Sequence, residues 1–596
     1  MKNDGGHFTP KFGGHFELES GGHFKLELGG QYHWNLHNTK WYADTDGDGL
    51  GDPANFVTQC TAPAGKYVLD NTDNCPLVSG TSSDCGGLAN PSLDKNYIIT
   101  KAYKVASTTA ITSPTPVQAT VGITYYDGLG RPIQQIANQQ SNTGKDIVTH
   151  MEYDTFGRQT KEYLPFVGSS RNMTYDTSAQ NNVLAFYNTP NYENTANPFS
   201  EKVLENSPLN RVLKQAASGN DWALGQGHEI KLDYQTNTAS EVKRFTATTT
   251  WNATTGVYDT TLGNASGTTF YDANQLYKNV TFDENTTATP TETNGSTVEF
   301  KNKEGKVVLK RTYATTGSVE TSMEKHDTYY VYDIYGNLTY VIPPMADMAL
   351  TQAILDDLCY QYQYDARNRL VAKKLPGKQW EFMVYDKLDR VVATGPAFSP
   401  FSDVTASGWL ITKYDAFNRA VYTGWSNSGA TAATRATLQQ AQNGATAINE
   451  SKQNGNTIDT VTVNYSNNVV PTTFKLLSVN YYDTYEIPNV SGLATSVEGQ
   501  TATTATKGLS TGSWIRVATT TAETKAETSY ILYDAKFRPI RSYTTNYLGG
   551  FTGTDSKLDS FSGQLQYTLQ KHKRTDADTE LTIKDAFTYS AQDRLL

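Results

Sequence analysis

A six-residue pattern recurs along this chain and constrains its fold more than any other feature. The pattern is Tyr-Asp-x-x-Gly-Arg or a close variant, and it occurs eight times in 596 residues. Eight copies of so specific a pattern are not chance, and such recurrence is typical of an array of similar structural units. The copies begin at Tyr126, Tyr153, Tyr332, Tyr364, Tyr385, Tyr414, Tyr533 and Tyr589.

Each copy has the residue types of a tight turn. An Asp at the first turn position accepts a hydrogen bond from the backbone amide two residues on. The residue before Arg then takes a left-handed conformation, which completes a type I turn with a bulge. The positions that we assign to these turns include Tyr126, Asp127, Gly130, Arg131, Tyr153, Asp154, Gly157, Arg158, Tyr364, Asp365, Asn368, Arg369, Tyr385, Asp386, Tyr414, Asp415, Asn418 and Arg419.

The residue before the last position of the pattern tests this interpretation. Gly, Asn or Asp occupies it in seven of the eight copies, and these residue types tolerate a positive φ. Phe537 is the exception, so we expect a distorted or differently closed turn there. The segment that starts at Val298 has the same turn logic through Asn302 and Gly305.

Apolar and aromatic residues flank the turns as strands, so each copy predicts one β-hairpin. We expect Tyr on a buried face and Arg able to bridge to a neighbouring Asp. A lone hairpin is only marginally stable in water, so successive hairpins must pair edge to edge. The sequence therefore predicts an all-β fold whose hairpin array spirals into a hollow shell. Alanine-rich stretches at 345–358 and 430–442 predict short helices at its margins.

The composition agrees with such a fold and excludes two classes of partner. Tyr outnumbers Phe by 38 to 22, which favours the half-buried, pleated surface of a sheet. Only 18% of the residues are charged and the net charge is −10, so the cationic surface that nucleic-acid binding requires is missing. No run approaches the ~20 apolar residues of a membrane-spanning helix. We predict no nucleic-acid partner and no membrane span.

Residues 1–40 form a first unit of short β repeats. Gly-Gly recurs there with a period of eight, and the residues between the pairs alternate between apolar and polar. Both a meander of hairpins and a small β-solenoid satisfy this pattern. His7, His15 and His23 fall on the polar face, where we favour a solvated row over a metal site. The opposite face is aromatic and includes Phe16 and Trp34.

A second unit, residues 41–90, contains an acidic loop with calcium-ligand spacing. Carboxylates occur at positions 1, 3, 5 and 9, with a glycine at position 6, and hard oxygen ligands at this spacing bind Ca²⁺. The alternative is a solvated acidic loop, whose carboxylates would repel one another without a cation. An EF-hand is excluded because Asn55 stands where it needs a bidentate Glu. The predicted ligands of this structural Ca²⁺ are Asp44, Asp46, Asp48, Asp52 and the carbonyl of Leu50.

The same segment resembles a thrombospondin type 3 repeat, in which an Asp-rich loop precedes an Asp-Asn-Cys-Pro element, here at residues 73–76. The resemblance covers residues 41–85. It implies structural calcium with Asp73 as a further ligand, and a small unit held by a disulfide among Cys60, Cys75 and Cys85. We favour the pairing of Cys60 with Cys75. We expect Cys359, in an apolar context far away, to be a small buried hydrophobic residue.

The turn motif resembles that of the RHS or YD-repeat family, which includes bacterial polymorphic toxins, insecticidal toxin-complex cocoon proteins and teneurins. The blocks ITYYDGLGRPIQQI at 123–136 and CYQYQYDARNRLVAKKLPG at 359–377 are most similar to Bacteroidetes-type secreted members. The resemblance covers residues 97–596. It implies a hollow β-shell that encloses a C-terminal effector, often a toxin, released by an autoproteolytic core. Both would lie beyond Leu596, where the chain ends inside a repeat.

Enzymatic motifs are missing from the sequence. It has no Walker loop, no His-Glu-x-x-His pair and no Gly-x-Ser-x-Gly elbow. The repeated Asp residues are better explained as turn formers than as glycosidase carboxylates. We therefore predict that this chain is not an enzyme.

These features favour a structural role. We predict the scaffold of a secreted bacterial RHS/YD-repeat protein, extracellular or on the cell surface, which encapsulates or presents its own C-terminal effector domain. One alternative is a cell-surface adhesin that binds glycans through the aromatic face of residues 1–40. The other is cargo of an outer-membrane secretion system, whose translocon would then be a partner.

Overall fold

A computed structural model describes residues 39–44, 49–52, 55–59, 62–69, 91–111, 114–293, 295–315, 323–346 and 350–596. Strands and their connecting turns make up most of this part of the chain, and helices are few and short. The predicted all-β class is therefore confirmed. Within the described residues, none of the helices has both the length and the apolar character needed to cross a membrane.

Two small sheets precede the main one. The first sheet has the order β2-β1-β3 and comprises β1 (Thr39–Ala43), β2 (Phe56–Gln59) and β3 (Tyr67–Val68). The second has the order β4-β5-β6-β7-β9 and comprises β4 (Asn96–Tyr103), β5 (Ala119–Tyr126), β6 (Pro132–Ala137), β7 (Ile147–His150) and β9 (Phe166–Val167).

Strand β5 shows why the second sheet forms. Its residues alternate strictly between buried and half-buried positions, which is the period of a strand with one face on a core. Ile123 and Tyr125 pack on that face together with Val183 of helix α1 (Ala179–Tyr187). The sequence analysis did not predict α1, whose nine residues contain two asparagines. The cap residue of this helix makes no side-chain hydrogen bond.

The largest element is one antiparallel sheet of 22 strands, which we call the wall. Its strands pair with one another in chain order from β8 to β36. The first half of the wall contains β8 (Lys161–Tyr163), β10 (Phe199–Leu204), β11 (Val212–Ala216), β12 (Ile230–Thr236), β15 (Tyr277–Phe282), β16 (Ser296–Lys301), β17 (Val307–Thr315), β18 (Met323–Tyr332), β19 (Leu338–Ile342), β20 (Tyr360–Tyr364) and β21 (Leu370–Lys374).

The second half of the wall ends at residue 586. It contains β22 (Trp380–Tyr385), β23 (Val391–Phe398), β24 (Ser407–Tyr414), β25 (Ala420–Ser426), β28 (Lys475–Tyr482), β31 (Ser510–Arg516), β32 (Ala526–Tyr533), β33 (Pro539–Thr545), β34 (Gly549–Leu558), β35 (Leu565–Thr575) and β36 (Leu581–Ala586). The wall thus confirms the predicted hairpin array. The same array was predicted to begin at residue 97, whereas the structure has the separate five-stranded sheet before β8.

Insertions between wall strands cover part of one face. Three are hairpins: β13 (Thr246–Asn252) with β14 (Val257–Gly263), β26 (Lys452–Ile458) with β27 (Val461–Tyr465), and β29 (Ser496–Val497) with β30 (Gln500–Thr501). Two helices, α2 (Gln352–Leu358) and α3 (Ala432–Gly444), lie within the two stretches where short helices were predicted or one turn beyond them. Short 3₁₀ turns occur at Pro190–Tyr192 and Pro344–Ala346.

The core is divided among these insertions instead of filling a single centre. Hairpin β26–β27 contributes Val463 and Tyr465 to a cluster with Trp409 and Tyr422 of the wall. By contrast, β35 has no buried residue and all six residues of β36 are exposed. The wall is therefore one sheet thick at its end, with water on both faces.

The end of the chain meets the five-stranded sheet. The ammonium group of Lys104 lies 2.7 Å from the Asp593 carboxylate and also donates to the Ala591 carbonyl at 2.9 Å. Arg594 donates to the carbonyl of Gln140 at 3.3 Å. Since these partners are separated by more than 450 residues in sequence, they tie the last described turn to the beginning of the fold.

Candidate functional site

The repeated turn is the feature that the chain uses most often, and the copy at Tyr385 shows its geometry. The amide of Asp386 donates to the carbonyl of Arg390 at 3.0 Å, and the amide of Asp389 donates to the carbonyl of Asp386 at 3.2 Å. The pairing of β22 with β23 shifts register just after the turn. These are the hydrogen bonds of the predicted type I turn with a bulge.

The Asp side chain organises the turn from within. Oδ1 of Asp386 accepts from the amides of Leu388 at 2.9 Å and Arg390 at 3.0 Å, while Oδ2 accepts from Nε of Arg390 at 2.7 Å. In the first copy, the hydrogen bond from the backbone of Arg131 is the largest of the causes that hold the pKa of Asp127 below its ordinary value. The same Asp-to-Arg contact, at 2.7 to 2.8 Å, recurs in the copies at Asp127, Asp154, Asp365, Asp415 and Asp534.

Most of the Arg side chains of the motif also reach the next turn. Nη1 of Arg390 donates to the carbonyl of Asp415 at 3.2 Å and to Oδ1 of Asn418 at 2.9 Å. Arg369 does the same toward the following turn and contacts Oδ1 of Asp389 at 2.8 Å. The predicted bridge to a neighbouring Asp is therefore present, at Arg369 with Asp389 and at Arg419 with Asp483. The sequence analysis did not foresee that each of these Arg side chains also pairs with the Asp of its own turn.

The Tyr of each of these turns contacts the preceding turn. The guanidinium of Arg390 lies over the ring of Tyr414 at 4.8 Å, and the Tyr414 hydroxyl donates to the carbonyl of Val391 at 2.9 Å. The pair Arg369 and Tyr385 repeats the stacking at 4.8 Å. The sequence analysis expected Tyr only to be buried and missed this hydroxyl contact. The sequence signal for this hydroxyl contact was the use of Tyr instead of Phe in all eight copies.

We call the whole arrangement the turn ladder, and it continues through turns that lack the motif. Nη1 of Arg158 donates to Oδ1 of Asn210, which has a φ of 52° in a turn opened by Glu205. Arg538 likewise donates to the carbonyl of Asp559 at 3.1 Å. The turn predicted at Asn302 is present, with the amide of Gly305 bonded to the Asn302 carbonyl. The ladder therefore depends on geometry that several sequences satisfy.

The ladder also crosses from the five-stranded sheet into the wall. Arg131 stacks on the Tyr153 ring at 4.4 Å, and the Tyr153 hydroxyl donates to the Pro132 carbonyl at 2.9 Å. Gly157 makes room for this contact, because a Cβ atom there would lie 2.9 Å from Nη1 of Arg131. Glycine at this position is thus needed both for its φ of 77° and for the close approach.

Phe537 does not distort its turn, so that prediction was wrong. The amide of Asp534 donates to the Arg538 carbonyl at 2.9 Å and the Phe537 amide to the Asp534 carbonyl at 3.0 Å, as in the other copies. Phe537 instead adopts a φ of 63°, a conformation that is strained for a residue with a Cβ atom. The hydrogen bonds of the turn and its Asp–Arg pair impose this conformation on it.

Replacing Phe537 with Asn should stabilise the protein by about 1 kcal/mol, because Asn tolerates the left-handed conformation and Phe537 is 53% exposed. The urea midpoint of the purified chain measures the change. Gly130→Ala is the matched control with the opposite expected effect, because Gly130 has a φ of 78° and nothing within 4 Å of an added Cβ atom. It should lower the midpoint. A lower midpoint for Phe537→Asn would contradict the assigned strain.

The tyrosines of the ladder predict a loss of stability at alkaline pH. Burial raises the pKa of Tyr364 to about 12, and its hydroxyl donates to the Leu338 carbonyl at 2.8 Å. The unfolded chain releases this proton near pH 10, so the stabilisation is complete below pH 10 and is lost between pH 10 and 12. Urea midpoints across that range should fall more steeply for the parent than for Tyr364→Phe. Equal slopes would contradict this assignment.

The predicted calcium ligands are only partly within the described residues. Asp44 is buried, and its Oδ2 accepts from the amide of Gly49 at 3.2 Å. Leu50 and Asp52 are also described. Among the described residues, no cluster of three or more His, Cys, Asp or Glu side chains has metal-binding geometry. Outside the described residues lie Asp46, Asp48, Asp73, Cys60, Cys75 and Cys85, together with the repeats and histidines of residues 1–38.

Cys359 is fully buried, and burial raises the pKa of its thiol to about 11. It packs with Leu355 and Leu350 in the core cluster beside α2. A thiol with so high a pKa is a poor nucleophile. The structure therefore places Cys359 where the sequence analysis expected it, as a small buried hydrophobic residue.

Comparisons with known proteins give one family match and several similar structures. Residues 99–236 match the model of DUF6443, a domain of unknown function. No curated protein matches the chain. Crystal structures of TcdB2-TccC3 without its hypervariable C-terminal region and of TcdB2-TccC3-Cdc42 align with a TM-score of 0.36 and 15% identity, over 80% of this chain and 19% and 20% of those chains.

The Tc holotoxin pore of Photorhabdus luminescens aligns with a TM-score of 0.31 and 13% identity, over 80% of this chain and 22% of that chain. This chain thus spans about a fifth of the length of the solved chains that it resembles. The matched DUF6443 region contains the five-stranded sheet, the first two turns of the ladder, and the wall as far as β12.

Proposed function

We propose that this chain is a structural scaffold, the wall of a secreted RHS/YD-repeat protein that encloses or presents a C-terminal effector domain. The observation that carries the proposal is a single antiparallel sheet of 22 strands. Side chains fill a barrel of about 8 strands, whereas barrels of about 16 to 22 strands leave a lumen. A wall of this size has room for a second polypeptide.

The turn ladder supports the same role. A sheet that is one layer thick lacks a second layer to hold its strands in place, and an isolated hairpin is only marginally stable. In the ladder, most of the Arg side chains link their own turn to the next, as Arg390 does through Asp415 and Asn418. Rigidity therefore comes from contacts along one rim, and the parts of the wall that no insertion covers stay available to solvent or to an enclosed chain.

We also propose that the acidic loop binds structural Ca²⁺. Asp44 already accepts a backbone hydrogen bond from the loop, and the side chain of Leu50 lies against Gly144 of the five-stranded sheet. A cation bound at this loop would stiffen the contact between the three-stranded sheet β2-β1-β3 and the five-stranded sheet. The carboxylates supply the oxygen ligands that Ca²⁺ prefers.

The scaffold proposal is tested on the natural full-length protein with and without the residues that follow Leu596. We expect the longer chain to contain a C-terminal domain that resists protease while enclosed. Removing that domain should leave the far-UV circular dichroism of the wall unchanged. An electron-microscopy map showing the wall packed solid, without space for another domain, would overturn the proposal. Export to the medium or cell surface and any translocon partner belong to the same proposal and are tested by fractionating the producing cells.

A further inference from the structure

A groove of about 880 Å³ lies among three elements of the fold. The tip of hairpin β13–β14 forms one side, the turn from Asp365 to Arg369 forms another, and helix α3 forms the third. The volume is within the ~300 to 1,000 Å³ of small-molecule sites. The groove exists only because two insertions, 180 residues apart in sequence, contact each other through Arg435 and Thr255.

A buried cation without a carboxylate partner stands behind this groove. Arg435 of α3 is 2% exposed, and no carboxylate of the described residues lies within 4.0 Å of its guanidinium. It donates to the Met383 carbonyl at 3.2 Å, the Thr255 carbonyl at 3.1 Å and Oε1 of Gln439 at 3.5 Å. Thr255 and Gln439 both line the groove, so the uncompensated positive charge lies directly behind its surface.

Cations outnumber carboxylates around the groove. Arg367, Arg369 and Lys387 line it together with a single carboxylate, Asp365. Counting Arg435 behind the surface and Asp389, which pairs with Arg367 at 3.0 Å, four cations face two carboxylates, a local charge of 4 − 2 = +2. The chain as a whole carries −10. A cationic groove on an acidic protein favours an anionic ligand.

The remaining lining groups are an aromatic ring and neutral polar side chains. Trp251 is 45% exposed, and its indole is held edge-on against Tyr258 at 5.1 Å. Gln440 and Asn443 of α3 contribute amides. Oγ1 of Thr255 is buried without a hydrogen-bond partner in the wall of the groove.

We propose that this groove binds an acidic saccharide, a sugar chain that carries carboxylate groups. The apolar face of a sugar ring fits the exposed indole of Trp251, its hydroxyls match the amides and the Thr255 hydroxyl, and its carboxylate compensates the cations. A nucleotide matches less well because its base would have only one aromatic surface, Trp251, to stack on.

The test is titration calorimetry of the intact chain with trigalacturonate, and with maltotriose as the neutral sugar of equal length. We expect trigalacturonate to bind, and maltotriose to bind at least about tenfold more weakly. Trp251→Ala should abolish trigalacturonate binding. Trp222→Ala is the matched control, because Trp222 is 43% exposed but lies outside the groove, and it should bind as the parent does.

Arg435→Met removes the buried cation and should weaken trigalacturonate binding. A second variant keeps the proposal testable if Arg435→Met fails to fold. Lys387→Gln changes an exposed cation of the groove, and it should weaken trigalacturonate binding and reduce its salt dependence. Equal affinity for both trisaccharides would overturn the assignment of an anionic ligand. No binding of trigalacturonate, unchanged binding by Trp251→Ala, or tighter binding of a nucleoside monophosphate would overturn the proposal itself.

Discussion

Replacing Asp386 with Ala should weaken the wall locally by about 3 to 5 kcal/mol, the cost of leaving one partner of a buried ion pair alone. The side chains of Asp386 and Arg390 are 1% and 10% exposed, so little water is available to replace the lost carboxylate. The substitution also removes both hydrogen bonds to the turn amides. Arg390 would then lose the contact that aims it at the next turn.

Hydrogen exchange measured by mass spectrometry on peptides that cover β22 and β23 reports this local opening. Asp386→Asn is the matched control, because its side-chain oxygen still accepts from the two amides while the ion pair is lost. It should open less than Asp386→Ala. Asp127→Ala, in a more exposed turn, should also have a smaller effect. Exchange in Asp386→Ala equal to that in the parent would show that the turn does not depend on its Asp.

Replacing Glu450 with Ala is expected to detach the insertion that carries α3 and hairpin β26–β27, at a cost of about 3 to 5 kcal/mol. Glu450 is fully buried and lies 3.2 Å from the ammonium of Lys413, a wall residue that is 1% exposed. Its carboxylate also accepts from the Ser466 hydroxyl at 2.6 Å and from the amides of Asn468 and Val469. Four donors would therefore lose their acceptor in one substitution.

Replacing Lys413, the partner of Glu450, should reduce the free energy of unfolding by less than replacing Glu450. The order of these two effects is the sharper test. Either substitution leaves one buried charge without its counterion, but Lys413→Met leaves Glu450 with three of its four donors, whereas Glu450→Ala also leaves Ser466, Asn468 and Val469 without their acceptor. Urea midpoints and protease cleavage within residues 449–474 measure both. If Lys413→Met proved the more destabilising of the two, the carboxylate would not be the centre of this contact.

The turns could be predicted from the sequence because their hydrogen bonds are local. Asp386 and Arg390 are four residues apart, and the left-handed residue between them is a matter of backbone sterics. Even so, local rules failed at Phe537, where the hydrogen bonds of the turn and its ion pair overcame an unfavourable φ. A pattern of residue types states a preference, and the surrounding contacts decide whether it is obeyed.

The all-β class, the hairpin array and the positions of its turns were therefore determined by the sequence itself, through contacts within about five residues. Only the tertiary structure decided the separation of the five-stranded sheet from the wall, the joining of 22 strands into one sheet and the groove beside Trp251. Arg435 and Thr255 meet across 180 residues, and Lys104 and Asp593 across 489. Such contacts depend on how many strands intervene and how the sheet curves, which no local pattern specifies.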